Sequence, residues 1–244
     1  MTVAPVPPEE QPVWDATMAA EHGMGFRRAF GAHQRYWSHG QFEGRPVILG
    51  ALLFAAPARH VACRDTWLGW GPLQRKRFRQ RLVANSRLLI RAGVAVPHLA
   101  SHALALALRR LPEDWRLRFG YAPVVVETFV SAPWRGTCYR AANWVHLGQT
   151  TGQGRQDRRH GEPGSVKEVF AYPLVADAAA PGLHRHHLVP EPRQPITRQR
   201  DDPIPKPLLL LCAPAQPHVP HGHVARRRRT EQSARTSLLP STSP

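Results

Sequence analysis

The chain has 244 residues, with 33 Lys+Arg against 17 Asp+Glu for a formal charge of +16, 42% hydrophobic residues and 25 prolines. That size holds one globular domain with chain to spare, and the apolar share excludes a wholly unfolded protein. Three cysteines, Cys63, Cys138 and Cys212, exclude a disulfide framework, no C-x-x-C pair points to zinc, and no apolar run reaches the ~18 residues of a membrane span. The first residues lack a basic segment followed by an apolar core, so a reducing cytoplasm is the expected compartment and no membrane partner is expected. Residues 175–244 hold 12 of the prolines and 6 of the 14 histidines, and this segment is expected to be a disordered, degenerate or frame-shifted tail. Residues 1–174 keep 23 basic and 12 acidic groups. The body itself is therefore basic, which points to a polyanion such as nucleic acid or a phosphorylated cofactor, although a coding bias toward Arg would give the same count.

In chain order, residues 1–13 are Pro-rich and expected to be a flexible N-terminus ahead of a single domain over residues 14–174. Helical spacing follows at Met18, Phe26 and Phe30. Residues 46–56, PVILGALLFAA, read as a central strand covered on both faces. Residues 63–70, CRDTWLGW, read as an aromatic turn. The segment PLQRKRFRQRLVANS from Pro72 predicts a basic amphipathic helix with Leu73, Phe78, Leu82 and Val83 inward. Residues 86–96 predict a strand broken by Pro97, and residues 98–111 a helix stopped by Pro112. PVVVETFV from Pro123 is the plainest strand in the chain. Thr137 then predicts the cap of a helix, TCYRAANWVHL, ended at Gly148, and residues 166–174 a last strand. The alternation predicts an α/β or α+β fold, a mixed central sheet flanked by helices.

Four places carry candidate chemistry. Glu127 lies in the apolar strand, where desolvation would raise its pKa and fit it as a general base; a structural ion pair is the other reading. Cys138 and Tyr139 open a helix, where a thiol would be activated and a phenol could donate a proton, or both simply pack. Thr150, Gly152, Gly154 and Arg155 form a Gly-rich basic segment suited to phosphate, without the G-K-[ST] ending of a P-loop. His98, Ser101 and His102 stand where free helix amides would hold an anion. On the basic helix, Arg75, Lys76, Arg77 and Arg79 form either a solvated face or a set of contacts to nucleic-acid phosphates.

The ordered motifs RDTWLGW, NSRLLI, VPHLASHALALALRRLPEDW, GYAPVVVETFV, GTCYRAANWVHLGQTTGQGR and VKEVFAYPL resemble the Druantia anti-phage defence protein A (DruA) family. The resemblance covers most of residues 45–175 and implies a bacterial defence protein associated with mobile elements, with other defence-system proteins as partners. The element order is also similar to the GNAT acetyltransferase fold. That likeness implies an acyl-CoA site at His98, Ser101, His102 and Trp144, with Glu127 as base and Tyr139 as proton donor. The sequence departs from that pattern in three places: Trp144 stands for a Tyr, Gln149 for a Phe, and the PHLASHA turn lacks the usual glycines. The expectations are thus a defence protein acting as an acyltransferase on an unknown target, or a basic nucleic-acid-binding accessory protein without enzymatic activity.

Overall fold

The computed structural model describes residues 1–152 and 165–175. A seven-stranded sheet runs through them in the order β1-β2-β3-β4-β5-β7-β6. Its strands are β1 (Thr2–Pro5), β2 (His33–Phe42), β3 (Arg45–Ala55), β4 (Leu82–Ile90), β5 (Val125–Ser131), β6 (Val145–Gln149) and β7 (Lys167–Pro173). The helices are α1 (Gln11–Glu21), α2 (Ala62–Trp67), α3 (Pro72–Phe78), α4 (Leu99–Phe119) and α5 (Thr137–Ala141). All neighbouring strands are antiparallel except β4 and β5, which run parallel over three pairs only, Leu82–Ala84 against Val125–Glu127. The fold is a mixed α/β sheet flanked by helices, and a strand leads into α4 before the next strand as the acetyltransferase resemblance implies.

Alternation along the strands builds two apolar faces. Tyr36, Leu52, Phe54, Val83, Val126 and Phe170 pack with α4 and α5 through Ala103, Leu104, Ala107, Leu108, Leu111 and Tyr139. On the opposite face, Trp37, Ala51, Leu53 and Leu89 meet Trp14 and Met18 of α1, and Leu82, Val124 and Val125 meet Leu68, Trp70 and Phe78 around α2 and α3. A bulge lets β4 serve both: Leu53 pairs with Arg87 and Phe54 with Asn85, so Ser86 is the extra residue and the parity of β4 flips there.

Several boundaries differ from those read in the sequence. Residues 1–13 are not loose at their start, because Val3 and Val6 are buried and β1 pairs with β2 from Thr2↔His39 to Pro5↔Tyr36. An edge strand tolerates the proline that ends it. The residues around Phe30 precede β2, a strand that its polar sequence HQRYWSHGQF concealed. CRDTWLGW opens as helix α2. The basic helix ends at Phe78, well short of the expected stretch, and Leu82 and Val83 belong to β4.

Pro112 does not stop α4, which continues to Phe119 and ends at Gly120 in the left-handed region. Burial of Leu108, Leu111 and Trp115 across the proline outweighs one lost backbone bond. Gly136, not Thr137, occupies the cap position of α5, and that helix ends at Ala141. Asn143 then takes φ 62°, and the chain enters β6, so Gly148 lies in a strand rather than ending a helix. The expected tail, apart from Val175, lies outside the described residues.

Candidate functional site

Glu127 is fully buried on the α2 face of the sheet. Its Oε2 accepts from Arg64 Nη1 at 2.7 Å and its Oε1 from the Ala58 amide at 2.8 Å. Arg64 is equally buried and spends Nε and Nη2 on Asp65 Oδ1, at 2.9 and 2.7 Å, while Arg75 reaches the other Asp65 oxygen at 2.8 Å. Burial pushes the Glu127 carboxyl upward, and the Arg64 guanidinium and Ala58 amide pull it back toward the charged form. Both carboxylate oxygens are occupied, which is the ion-pair arrangement. Arg75, expected to meet phosphate, is held in the same network.

Tyr139 lies on the other face, stacked on Phe170 at 5.9 Å and edge-on to Trp144 at 5.0 Å. Its hydroxyl donates to Asn85 Oδ1 at 2.7 Å, and burial pushes the phenol well above its usual range. The sheet therefore separates Glu127 from Tyr139, and the base and proton donor expected to work together do not face one substrate. Cys138 is half-buried, and burial raises its thiol, the opposite of activation.

Where β4 and β5 diverge, side chains bridge the gap: Thr128 Oγ1 donates to the Asn85 carbonyl at 3.0 Å beside the Tyr139–Asn85 bond. Trp144 belongs to the same core, and its buried indole Nε1 has no partner among the described residues. At the start of α4, His98 takes φ 58° and is exposed, as is His102. The Ser101 hydroxyl donates to the His98 carbonyl at 2.9 Å, so it is spent within the turn. Thr150 Oγ1 accepts from the Lys167 amide at 3.0 Å, tying the base of the Gly-rich segment to β7. Gly152 ends the described part of that segment, and Gly154 and Arg155 lie outside the described residues.

Lys76 and Arg77 of α3, with Arg79 just after it, line a cleft of about 260 Å³ between the end of β3, α3 and the second half of α4. Lys76, Arg77, Arg79 and Gln80 meet Trp115 and Tyr121 there. Trp115 is 1% exposed, and its indole Nε1 has no hydrogen-bond partner among the described residues. Lys76, Arg77 and Arg79 are exposed and make no ion pair among the described residues. The acids nearby are committed elsewhere: Asp65 to Arg64 and Arg75, Asp114 to Arg110, and Glu113 to Arg116.

A second, more open pocket of about 600 Å³ lies beside α5, β6 and β7, lined by Trp134, Arg135, Arg140, His146, Gln149 and Glu168. Sequence reading passed over it. Its residues come from three separate segments, and its one local signal is an aromatic and an Arg between Pro133 and Gly136 in a turn.

The family model of Druantia protein DruA matches residues 2–162. The chain belongs to the DruA family. The DruA match spans the α3 cleft and all of the second pocket except Glu168. No curated protein matches the sequence. Solved structures similar to the chain include the ribosomal-protein-S18-alanine N-acetyltransferase from Escherichia coli, at 7% identity and TM-score 0.43 over 71% of this chain and 93% of that one. A spermidine N-acetyltransferase SpeG chimera from Vibrio cholerae gives 8% identity and TM-score 0.43 over 71% and 95%. A domain from Methanocaldococcus jannaschii gives 8% identity and TM-score 0.39 over 70% and 96%.

No group of three or more potential metal ligands occurs among the described residues. None of their helices is long and apolar enough to cross a membrane.

Proposed function

We propose that this DruA-family defence protein binds nucleic acid through the cleft beside α3, with Lys76, Arg77 and Arg79 neutralising backbone phosphates. The observation that supports this most is the cleft's composition: three exposed cations with no ion pair among the described residues line it beside Trp115. Phosphate contacts of this kind release counterions, so affinity for duplex falls with salt at a log–log slope of about −0.9 for each phosphate neutralised. Fluorescence anisotropy of a labelled duplex across a salt series tests this. The Lys76→Ala/Arg77→Ala/Arg79→Ala variant is expected to bind more weakly and with a slope shallower by up to about 0.9 per residue removed. An unchanged slope would count against the cleft.

A second reading, acyl transfer, is supported by the unpartnered Trp144 indole beside Tyr139, next to the point where β4 and β5 part. A thioester carbonyl at that donor would recover its hydrogen bond. Saturating acetyl-CoA at about 100 times its dissociation constant would then stabilise the fold by about 2.7 kcal/mol in thermal denaturation. No shift at millimolar acetyl-CoA would remove this reading.

A further inference from the structure

The pocket beside β6 and β7 shares no residue with the α3 cleft. Of the seven tryptophans, Trp134 alone is exposed, at 76%, while Trp67 is half-buried and the other five are buried. An indole left in water, on a turn fixed by the Trp134 backbone N–H donating to the Ser131 carbonyl at 3.1 Å, offers a flat apolar face. Arg135 follows it and is exposed. Arg140 sits over the Phe170 ring at 5.0 Å. Neither guanidinium makes an ion pair among the described residues.

The pocket holds one carboxylate, Glu168, and that group is already used. It accepts from His146 Nε2 at 2.5 Å and from Gln149 Nε2 at 2.7 Å. Arg135 makes no ion pair among the described residues, and Arg140, which also feels the Glu168 charge, keeps its guanidinium at the pocket wall, so both can meet an anionic ligand. The Gln149 amide donates to Glu168, and its carbonyl oxygen, without a hydrogen bond among the described residues, can accept from an exocyclic amino group. Gly148 adds no side chain, which keeps the floor open.

We infer that this pocket binds a nucleotide unit, its base stacked on Trp134, its phosphate on Arg135 and Arg140, and its base edge meeting Gln149. Stacking on an aromatic ring beside Arg is how single strands are held with little sequence preference. The volume of about 600 Å³ falls within the usual range of small-molecule sites. The unit has two sources, a free mononucleotide or a residue of a single strand, and both present the same base and phosphate.

Because Trp134 is the exposed tryptophan, saturable quenching of intrinsic fluorescence that disappears in Trp134→Ala reports on this pocket. Titration with adenosine 5′-monophosphate and, separately, with a short oligodeoxythymidylate should quench the emission in a saturable way. Quenching by the mononucleotide identifies the free ligand as sufficient, and quenching by the oligomer alone identifies a strand. Trp134→Ala, read by anisotropy of a labelled oligomer or mononucleotide, should bind about 10- to 100-fold more weakly. Arg135→Ala/Arg140→Ala should weaken binding as well, and the melting temperature of either variant should stay that of the parent. Duplex binding, which rests on α3, should be unaffected by Trp134→Ala, and nucleotide quenching should persist in the α3 triple variant. Absence of quenching by both ligands, or full affinity in Trp134→Ala, would overturn the inference while leaving duplex binding standing.

Discussion

Glu127 shows how one residue can be read correctly as buried and still allow two chemistries. Its place in an apolar strand announced desolvation, but the partner that decides its role, Arg64, is 63 residues away in sequence. Removing that partner leaves a buried carboxylate without its counter-charge. Arg64→Ala is therefore expected to lose about 3–5 kcal/mol in urea denaturation, with a smaller loss for Arg64→Met/Glu127→Leu, in which both charges go. A loss below about 1 kcal/mol in Arg64→Ala would mean that the network does not anchor α2 to β5. At the surface, hydrogen bonds from Arg91 hold the Glu21 carboxyl below its usual range, and those from Gln149 and His146 do the same for Glu168. A depressed folded pKa gives stability that is present above the unfolded value of about 4.3 and disappears as pH falls through the folded value. Glu21→Gln should accordingly lower stability at neutral pH and lose that difference as pH falls through the folded value, as an acid titration of the unfolding free energy will show.

At the scale of elements, the strands with uniform apolar composition were legible and those with mixed composition were not. Residues 46–56 and 166–174 became β3 and β7 because Val, Ile, Leu and Phe are buried on both sides of the sheet. β2 escaped because it buries Gln34, Arg35 and Ser38 alongside Tyr36 and Trp37, with Asp15 of α1 pairing the Arg35 guanidinium at 2.7 Å. TCYRAANWVHL looked like one helix because nothing local marks Asn143 as the turn that feeds β6 against β7. Gly136 is the residue on which that region turns. It has φ 67°, and a Cβ there would lie 2.6 Å from Phe170 Cε2. Gly136→Ala combines left-handed backbone strain with a clash against the ring that Tyr139 stacks on, and should cost about 1–3 kcal/mol in thermal denaturation. A neutral result would show that α5 and β7 can separate freely at this point.

Across the whole molecule, the excess of positive charge was visible from composition, but its location was not. Internal ion pairs consume Asp15, Glu21, Asp65, Glu113, Asp114 and Glu127, each with an arginine. Two groups of cations without an ion pair among the described residues line pockets: Lys76, Arg77 and Arg79 beside Trp115, and Arg135 and Arg140 beside Trp134. The first was read from the sequence as a basic helix face that also included Arg75, whose guanidinium pairs with Asp65 of α2. The second is assembled from the β5–α5 turn, α5 and the β6–β7 pair, whose proximity only the fold creates.

Binding of nucleic acid through phosphate contacts in the α3 cleft is the proposal on which the function rests. The most direct test is the affinity of the full chain for a labelled duplex measured from low to physiological salt, alongside Lys76→Ala/Arg77→Ala/Arg79→Ala. The expected result is a steep fall in affinity with salt and a shallower, weaker profile for the variant. Failure of the full chain to bind duplex or single strand at low salt, or identical profiles for the two proteins, would contradict it.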